Sequence, residues 1–187
     1  MEFKVYSKVK RFVSRMTRRI WRFYIEKSNN TIKIKYLRNH GMKIGEGCFL
    51  EGLPYVNEPY LVEIGNHVAI ANGALFITHD GSLWCFSEDV PEDDLFGMIK
   101  IGNNVHIGME CIFLSGTSIG NNCVIGAGSV VRGTFPDNSV IIGNPAKVLT
   151  NLNVLRLLYR NNPGRIKTAK LTDQQKKPIV KKHFGID

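Results

Sequence analysis

Among five histidines, His79 is the one whose setting suggests chemistry. It stands in Thr78-His79-Asp80-Gly81, at the start of a stretch that interrupts an otherwise periodic chain. That stretch continues through Trp84, Phe86 and the acidic run Glu88, Asp89, Glu92, Asp93 and Asp94. An imidazole titrates near neutral pH, so it can accept a proton from a bound group and return one. His40 and His67 lie in or before the early periodic region and His183 lies in the tail, where surface roles suffice. His106 is inside the most regular block. Cys48, Cys85, Cys111 and Cys123 form neither a CxxC pair nor any metal-ligand spacing, so no metal is expected.

The elements that must position His79 are written in a six-residue step. Ile101, Ile107, Phe113, Ile119, Ile125 and Val131 recur every six residues, and Gly102, Gly108, Gly120 and Gly126 directly follow four of them. Four residues after successive anchors come Val105, Cys111, Thr117, Cys123 and Ser129, each small or β-branched. A step of six fits neither a 3.6-residue helix nor two-residue alternation, but it fits a coil of short strands separated by turns. The aliphatic anchor points inward, and the glycine after it tolerates crowded or left-handed backbone. Earlier anchors are Ile44, Leu50, Ile64, Ile70 and Phe76. The steps from Leu50 to Ile64 and from Phe76 to Ile101 are not multiples of six, so residues are inserted at two places and extruded as loops. The second insertion, roughly 78 to 98, carries His79, and loops on a rigid scaffold are where chemistry usually sits. After Val131 the next anchor is expected at Ile142, following a turn through Phe135-Pro136-Asp137-Asn138.

Charge divides the 187-residue chain into three parts. Residues 1 to 27 carry nine Lys or Arg against two acids, residues 150 to 187 carry nine against two, and the middle carries seven against twelve. Segment 1–30 reads as a basic amphipathic helix, with Val9, Phe12, Val13, Met16, Ile20, Phe23 and Tyr24 on one face and Trp21 near its end. Such a helix either packs its stripe on the coil or makes peripheral contact with a membrane through residues 1–27. Segment 31–149 is the coil domain, and 150–187 is a C-terminal helix capped by Asn151 followed by a loosely held basic tail. No zinc-finger or RNP-type signature accompanies the basic ends, so nucleic acid is not an expected partner. With no long apolar run, a cytoplasmic location is expected, either free or at the inner face of the membrane.

The run IGNNVHIGMECIFLSGTSIGNNCVIGAGSVVRGTFPDNSVIIGNPAKVL, with THDG at 78–81, IGAGSVV at 125–131 and GNPAKV at 143–148, resembles the hexapeptide-repeat acyltransferases, in particular the sugar and polysaccharide O-acetyltransferases. The resemblance spans roughly residues 44 to 149. It implies a mainly β fold: a left-handed parallel β-helix with an extruded loop, an N-terminal basic amphipathic helix and a short C-terminal helix. It also implies a homotrimer with active sites between subunits, acetyl-CoA as acyl donor and a sugar or polysaccharide hydroxyl as acceptor. His79 matches the position of the family's general base. The backbone N–H of Met109 matches an oxyanion donor, and Ala127 and Gly128 form a side-chain-poor strip for the pantetheine arm. Arg132 and Lys147 stand where relatives contact the nucleotide end of coenzyme A. His106 replaces a tryptophan found beside the acyl-CoA arm in relatives, so it is either a cofactor contact or an outward coil residue. Asp80 is read as shaping the loop or contacting the acceptor hydroxyl. Trp84 either stacks on a sugar ring or anchors the loop. Glu51 and Asn57, from the irregular segment before the loop, are candidates to line the acceptor site and to hold the second ring nitrogen of His79.

Three other readings compete with an O-acetyltransferase of capsule, exopolysaccharide or lipopolysaccharide assembly. An amine acceptor would make the protein a nucleotide-sugar N-acetyltransferase. A silent β-helix would make it a scaffold, against which the intact THDG and GNPAK segments argue. A carbonic-anhydrase-like zinc site would need three histidines, and the repeat block does not supply them.

Overall fold

In the computed structural model the described residues are Ile20 and 22–186, and the chain divides into one compact unit ending at Leu152 and a second from Asn153 on. The basic amphipathic helix expected for 1–30 falls mostly outside the described residues. Within them, 22–27 are helical. Among the described residues no helix is long and apolar enough to cross a membrane.

The first unit is a parallel β-helix whose short strands, of two or three residues except in the last coil, line up on three sheets. The first sheet stacks β1 (Lys43–Ile44), β4 (Val62–Ile64), β9 (Ile99–Ile101), β12 (Ser118–Ile119) and β15 (Thr134–Phe135). The second stacks β2 (Phe49–Leu50), β5 (Ala69–Ile70), β10 (His106–Ile107), β13 (Val124–Ile125) and β16 (Ser139–Gly143). The third stacks β3 (Tyr55–Val56), β6 (Leu75–Phe76), β11 (Ile112–Phe113) and β14 (Val130–Val131). Register puts each anchor on the anchor of the next coil: Ile101 on Ile119, Ile107 on Ile125, Phe113 on Val131. All six are buried, and the Phe76 and Phe113 rings stack 5.1 Å apart. Each such side chain contributes about 1.5–3 kcal/mol relative to exposure, so the column of anchors is the core.

The edge between the first and second sheets shows why the pattern I-G-N-N recurs. The side-chain oxygens of Asn66, Asn103, Asn121 and Asp137 each accept from the backbone N–H of the residue stacked on them, at 2.7–2.8 Å. The residue after each is His67, Asn104, Asn122 or Asn138, and all four have φ between 54° and 61°. Asparagine adopts this left-handed region at low cost. The glycine after the anchor answers a different need. A Cβ on Gly102 would lie 2.6 Å from the Gly120 carbonyl carbon, and one on Gly108 would lie 2.5 Å from the Ala127 nitrogen. Close coil-to-coil approach, not a left-handed φ, requires glycine at these two positions.

Both insertions leave from the edge between the third and first sheets. The first is smaller than the spacing suggested, because Val56 is a regular anchor six residues after Leu50 and only the corner that follows is enlarged, by the 3₁₀ turn Pro59–Leu61. The second emerges after Phe76. It forms an antiparallel pair of β7 (His79–Asp80) with β8 (Leu95–Phe96), joined through a 3₁₀ segment Gly81–Phe86. A further correction falls at the last coil. Ile141, not Ile142, is the buried anchor and pairs with Ile125, while Ile142 is exposed. Phe135 takes the preceding anchor position, so one corner is two residues short.

The two ends of the stack are covered. Helix α1 (Asn30–Asn39), which was not expected inside 31–149, is capped by Asn29 and buries Leu37 against the first coil. Lys33 donates to the Glu51 carbonyl at 2.6 Å, and Asn30 bonds Cys48 and Leu50. At the other end β17 (Ala146–Asn151) pairs antiparallel with β16. Covering terminal rungs removes an open strand edge. Asn151 thus ends a strand, and α2 (Leu152–Arg160) begins with the next residue. The expected loose tail holds a second helix, α3 (Asp173–His183), opened by a Thr172–Gln175 capping box.

Candidate functional site

Stacking geometry brings a carboxylate to His79. Strand β3 lies on β6 with Tyr55 opposite Leu75 and Val56 opposite Phe76. Continuing that register around the corner places Glu58 against Thr78 and His79. The Glu58 carbonyl accepts from Leu61 N at 3.0 Å within the 3₁₀ turn, and Thr78 is held by Gly97 N bonding its carbonyl at 2.8 Å. The result is a pair in which His79 Nδ1 lies 3.2 Å from Glu58 Oε2, and the same oxygen accepts from the Thr78 hydroxyl. Burial alone would raise the Glu58 carboxyl, but the bonds from Thr78 and His79 and the His79 charge outweigh it and hold the group below its ordinary value. An ionised carboxylate only accepts, so when the ring is neutral Nδ1 carries the hydrogen and Nε2 carries the lone pair. Nε2 has no partner among the described residues, and the side chain is 41% exposed. The Phe96 ring and the imidazole meet in a T-shaped arrangement, with centroids 6.2 Å apart. The ring is thus oriented by its neighbours and leaves Nε2 accessible.

Glu58 was not among the residues singled out from sequence. The expected ring partners were Glu51 and Asn57, and the structure corrects both. Glu51 Oε2 accepts from Asn72 N at 3.3 Å, and Asn57 lines a cavity of about 210 Å³ with Tyr36, His40, Pro54 and Tyr60. The signal was present: once Val56 is seen as an anchor, the twenty-residue step from Tyr55 to Leu75 sets Glu58 opposite Thr78.

Asp80 shapes the loop, because its Oδ1 accepts from Ser82 N at 3.0 Å and caps the 3₁₀ segment. That bond, together with the Arg132 and His79 charges, lowers its carboxyl. Arg132 directly follows the third-sheet anchor Val131, at the edge from which the His79 loop leaves. Trp84 is 85% exposed on the loop.

The other candidates stand elsewhere on the prism. Met109 lies on the edge between the second and third sheets, and its carbonyl accepts from Gly128 N at 2.8 Å. Ala127 and Gly128 form the next corner of that edge. His106 projects outward from the second sheet beside a depression of about 240 Å³ lined by Phe49, His67, Val124 and Leu152. Lys147 pairs with Ile142 in the final hairpin. Within one chain the width of the third sheet thus separates His79, Asp80 and Arg132 from Met109, Ala127 and Gly128.

Comparison with known proteins bears on this arrangement. The bacterial transferase hexapeptide (six repeats) family matches residues 98–133. Protein CapG of Staphylococcus aureus is 41% identical over 151 residues, covering 79% of this chain and 87% of that protein. The putative lipopolysaccharide biosynthesis O-acetyl transferase WbbJ of Escherichia coli is 34% identical over 100 residues, covering 49% of this chain and 51% of that protein. The chain thus spans most of CapG but about half of WbbJ. Among solved structures, galactoside acetyltransferase in complex with coenzyme A superposes with a TM-score of 0.57 at 21% identity, covering 82% of this chain and 88% of that one. That likeness establishes the shared fold. Hexads, three-sheet stack and a relative matched over nearly its full length agree: the chain belongs to the hexapeptide-repeat transferase family.

Proposed function

We propose that the protein is an acetyl-CoA-dependent O-acetyltransferase that modifies a sugar hydroxyl during assembly of a capsule, exopolysaccharide or lipopolysaccharide, with His79 as general base. The observation that carries the reading is the free Nε2 of an imidazole oriented by a charged Glu58. The names borne by WbbJ and by galactoside acetyltransferase support the acetyl donor and a sugar acceptor.

In this reading Nε2 takes the acceptor's hydroxyl proton as its oxygen attacks the thioester carbonyl. Glu58 stabilises the imidazolium that forms. The Met109 N–H stabilises the oxyanion, and the side-chain-poor corner at Ala127 and Gly128 seats the pantetheine arm. When the C–S bond breaks, His79 returns the proton to the departing sulfur, leaving free thiol and acetyl ester. Arg132 and Lys147 offer positive charge to the phosphates, His106 flanks the arm, and Trp84 stacks on the sugar. Glu51 and Asn57 remain proposed acceptor contacts.

Base edge and donor edge are separated within one chain, so the site requires the His79 edge of one subunit to meet the Met109 edge of another. A homotrimer closes three such sites by a single repeated contact. The exposed Phe86, Leu95, Phe96 and Met98 on the loop favour burial against a neighbour.

The test is transfer from acetyl-CoA to a panel of hydroxyl and amino sugars, with mass detection of products. His79→Ala is expected to lower kcat by about 10²–10⁴-fold with the KM for acetyl-CoA little changed. Undiminished turnover would remove His79 from the chemistry.

A further inference from the structure

Four fully or nearly fully buried hydroxyls lie in the coils, and three of them serve their own corner. Thr117, Ser129 and Ser139 each donate to the carbonyl three residues earlier, at Leu114, Gly126 and Pro136, at 2.6–2.7 Å, and Thr117 also lies 3.0 Å from the Val131 carbonyl of the next coil. Thr78, also wholly buried, does not. Its hydroxyl crosses to the preceding coil and donates to Glu58 Oε2, the oxygen that faces His79 Nδ1.

We propose that Thr78 is a positioning residue: its hydroxyl holds Glu58 as an oriented acceptor, so that His79 keeps its hydrogen on Nδ1 and its lone pair on Nε2. The proposal rests on the reading of His79 as general base. A hydroxyl has one hydrogen to give, and giving it to Oε2 keeps that oxygen an acceptor. Glu58 is mostly shielded, with 18% of its side chain exposed, so few other donors reach it. Without the Thr78 hydroxyl, Oε2 loses the donor that fixes its position, and the carboxylate is free to turn away from Nδ1. Nδ1 then lacks a fixed acceptor. The neutral ring is free to carry its hydrogen on Nε2 instead, and that tautomer cannot accept a proton from the acceptor hydroxyl. Among the described residues the charged group that acts on this carboxyl is His79, which faces it directly.

Two substitutions separate the hydroxyl from the shape. Thr78→Val keeps the volume and loses the donor, whereas Thr78→Ser keeps the donor and loses a methyl. Thr78→Val is expected to lower kcat about tenfold or more, with the KM for acetyl-CoA unchanged. Thr78→Ser retains kcat within about threefold although the lost methyl lowers the melting temperature. The opposite pattern, Val near wild type and Ser impaired, means that Thr78 only packs, and overturns the proposal. The ¹⁵N shifts of the His79 ring in Thr78→Val, read near neutral pH, supply a measurement independent of turnover. Hydrogen moving from Nδ1 to Nε2 supports the proposal, and an unchanged tautomer overturns it. His79→Ala run in parallel distinguishes the two failures. If it stays active, the base reading itself is wrong. If it is inactive while Thr78→Val is normal, Thr78 alone is misassigned.

Discussion

Glu58 carries two consequences at the scale of single residues. Its carboxyl lies below its ordinary value in the folded protein, so its charge stabilises the fold above the unfolded pKa. That contribution is lost as pH falls through the depressed value. Glu58→Gln is therefore expected to narrow the stability difference from wild type as pH drops from neutral to about 3, measured by urea unfolding. In catalysis the same substitution replaces an acceptor with an amide that can donate to Nδ1, and kcat is expected to fall by about 10²-fold or more. A kcat within a few-fold of wild type would show that His79 needs no carboxylate. His79 was legible in sequence because it follows directly on the last anchor before a long insertion. Glu58 was not, because the pairing depends on how two coils of unequal length align, and prolines at 54 and 59 hid the regular rung at Tyr55–Val56.

At the scale of elements, the coil is a stack whose tolerance to change differs by position. A methyl at Gly108 would lie 2.5 Å from the Ala127 backbone nitrogen, which cannot move without parting two coils. Gly108→Ala is expected to destabilise by about 1–3 kcal/mol or more, seen as a lower midpoint in chemical unfolding. Gly116→Ala meets no atom within 4 Å and suffers only from its φ of +79°. Its cost is the smaller, about 1 kcal/mol. Equal costs would mean that coil contact is not what selects glycine. The loop behaves differently, since β7 and β8 bond each other outside the three sheets. Replacing residues 82–94 by a short Gly-Ser turn is expected to leave the melting temperature within a few degrees of wild type while reducing sugar acetylation. A large fall in melting temperature would place the loop in the core's stability. Periodicity made the rungs and both insertions readable. It misplaced the last anchor at Ile142 because the corner between Val131 and Phe135 is shortened, which no periodic rule anticipates. The capping box at Thr172 was visible in Thr-Asp-Gln-Gln, yet the strongly basic composition around it suggested a loose tail.

At the scale of the whole molecule, the proposed mechanism needs the His79 edge of one subunit against the Met109–Gly128 edge of another, which would make activity a property of an assembly. Sedimentation is expected to give a trimer at micromolar concentration, and dilution that dissociates it is expected to abolish turnover. The most direct measurement is subunit mixing. His79→Ala lacks the base, and Ala127→Trp fills the strip proposed for the pantetheine arm, so each homo-oligomer is inactive. When the two are co-expressed in equal amounts, sites drawing the base from one chain and the strip from another recover about a quarter of wild-type activity by random assembly. Recovery near that level is the result expected here, and a mixed assembly as inactive as its parents would contradict it.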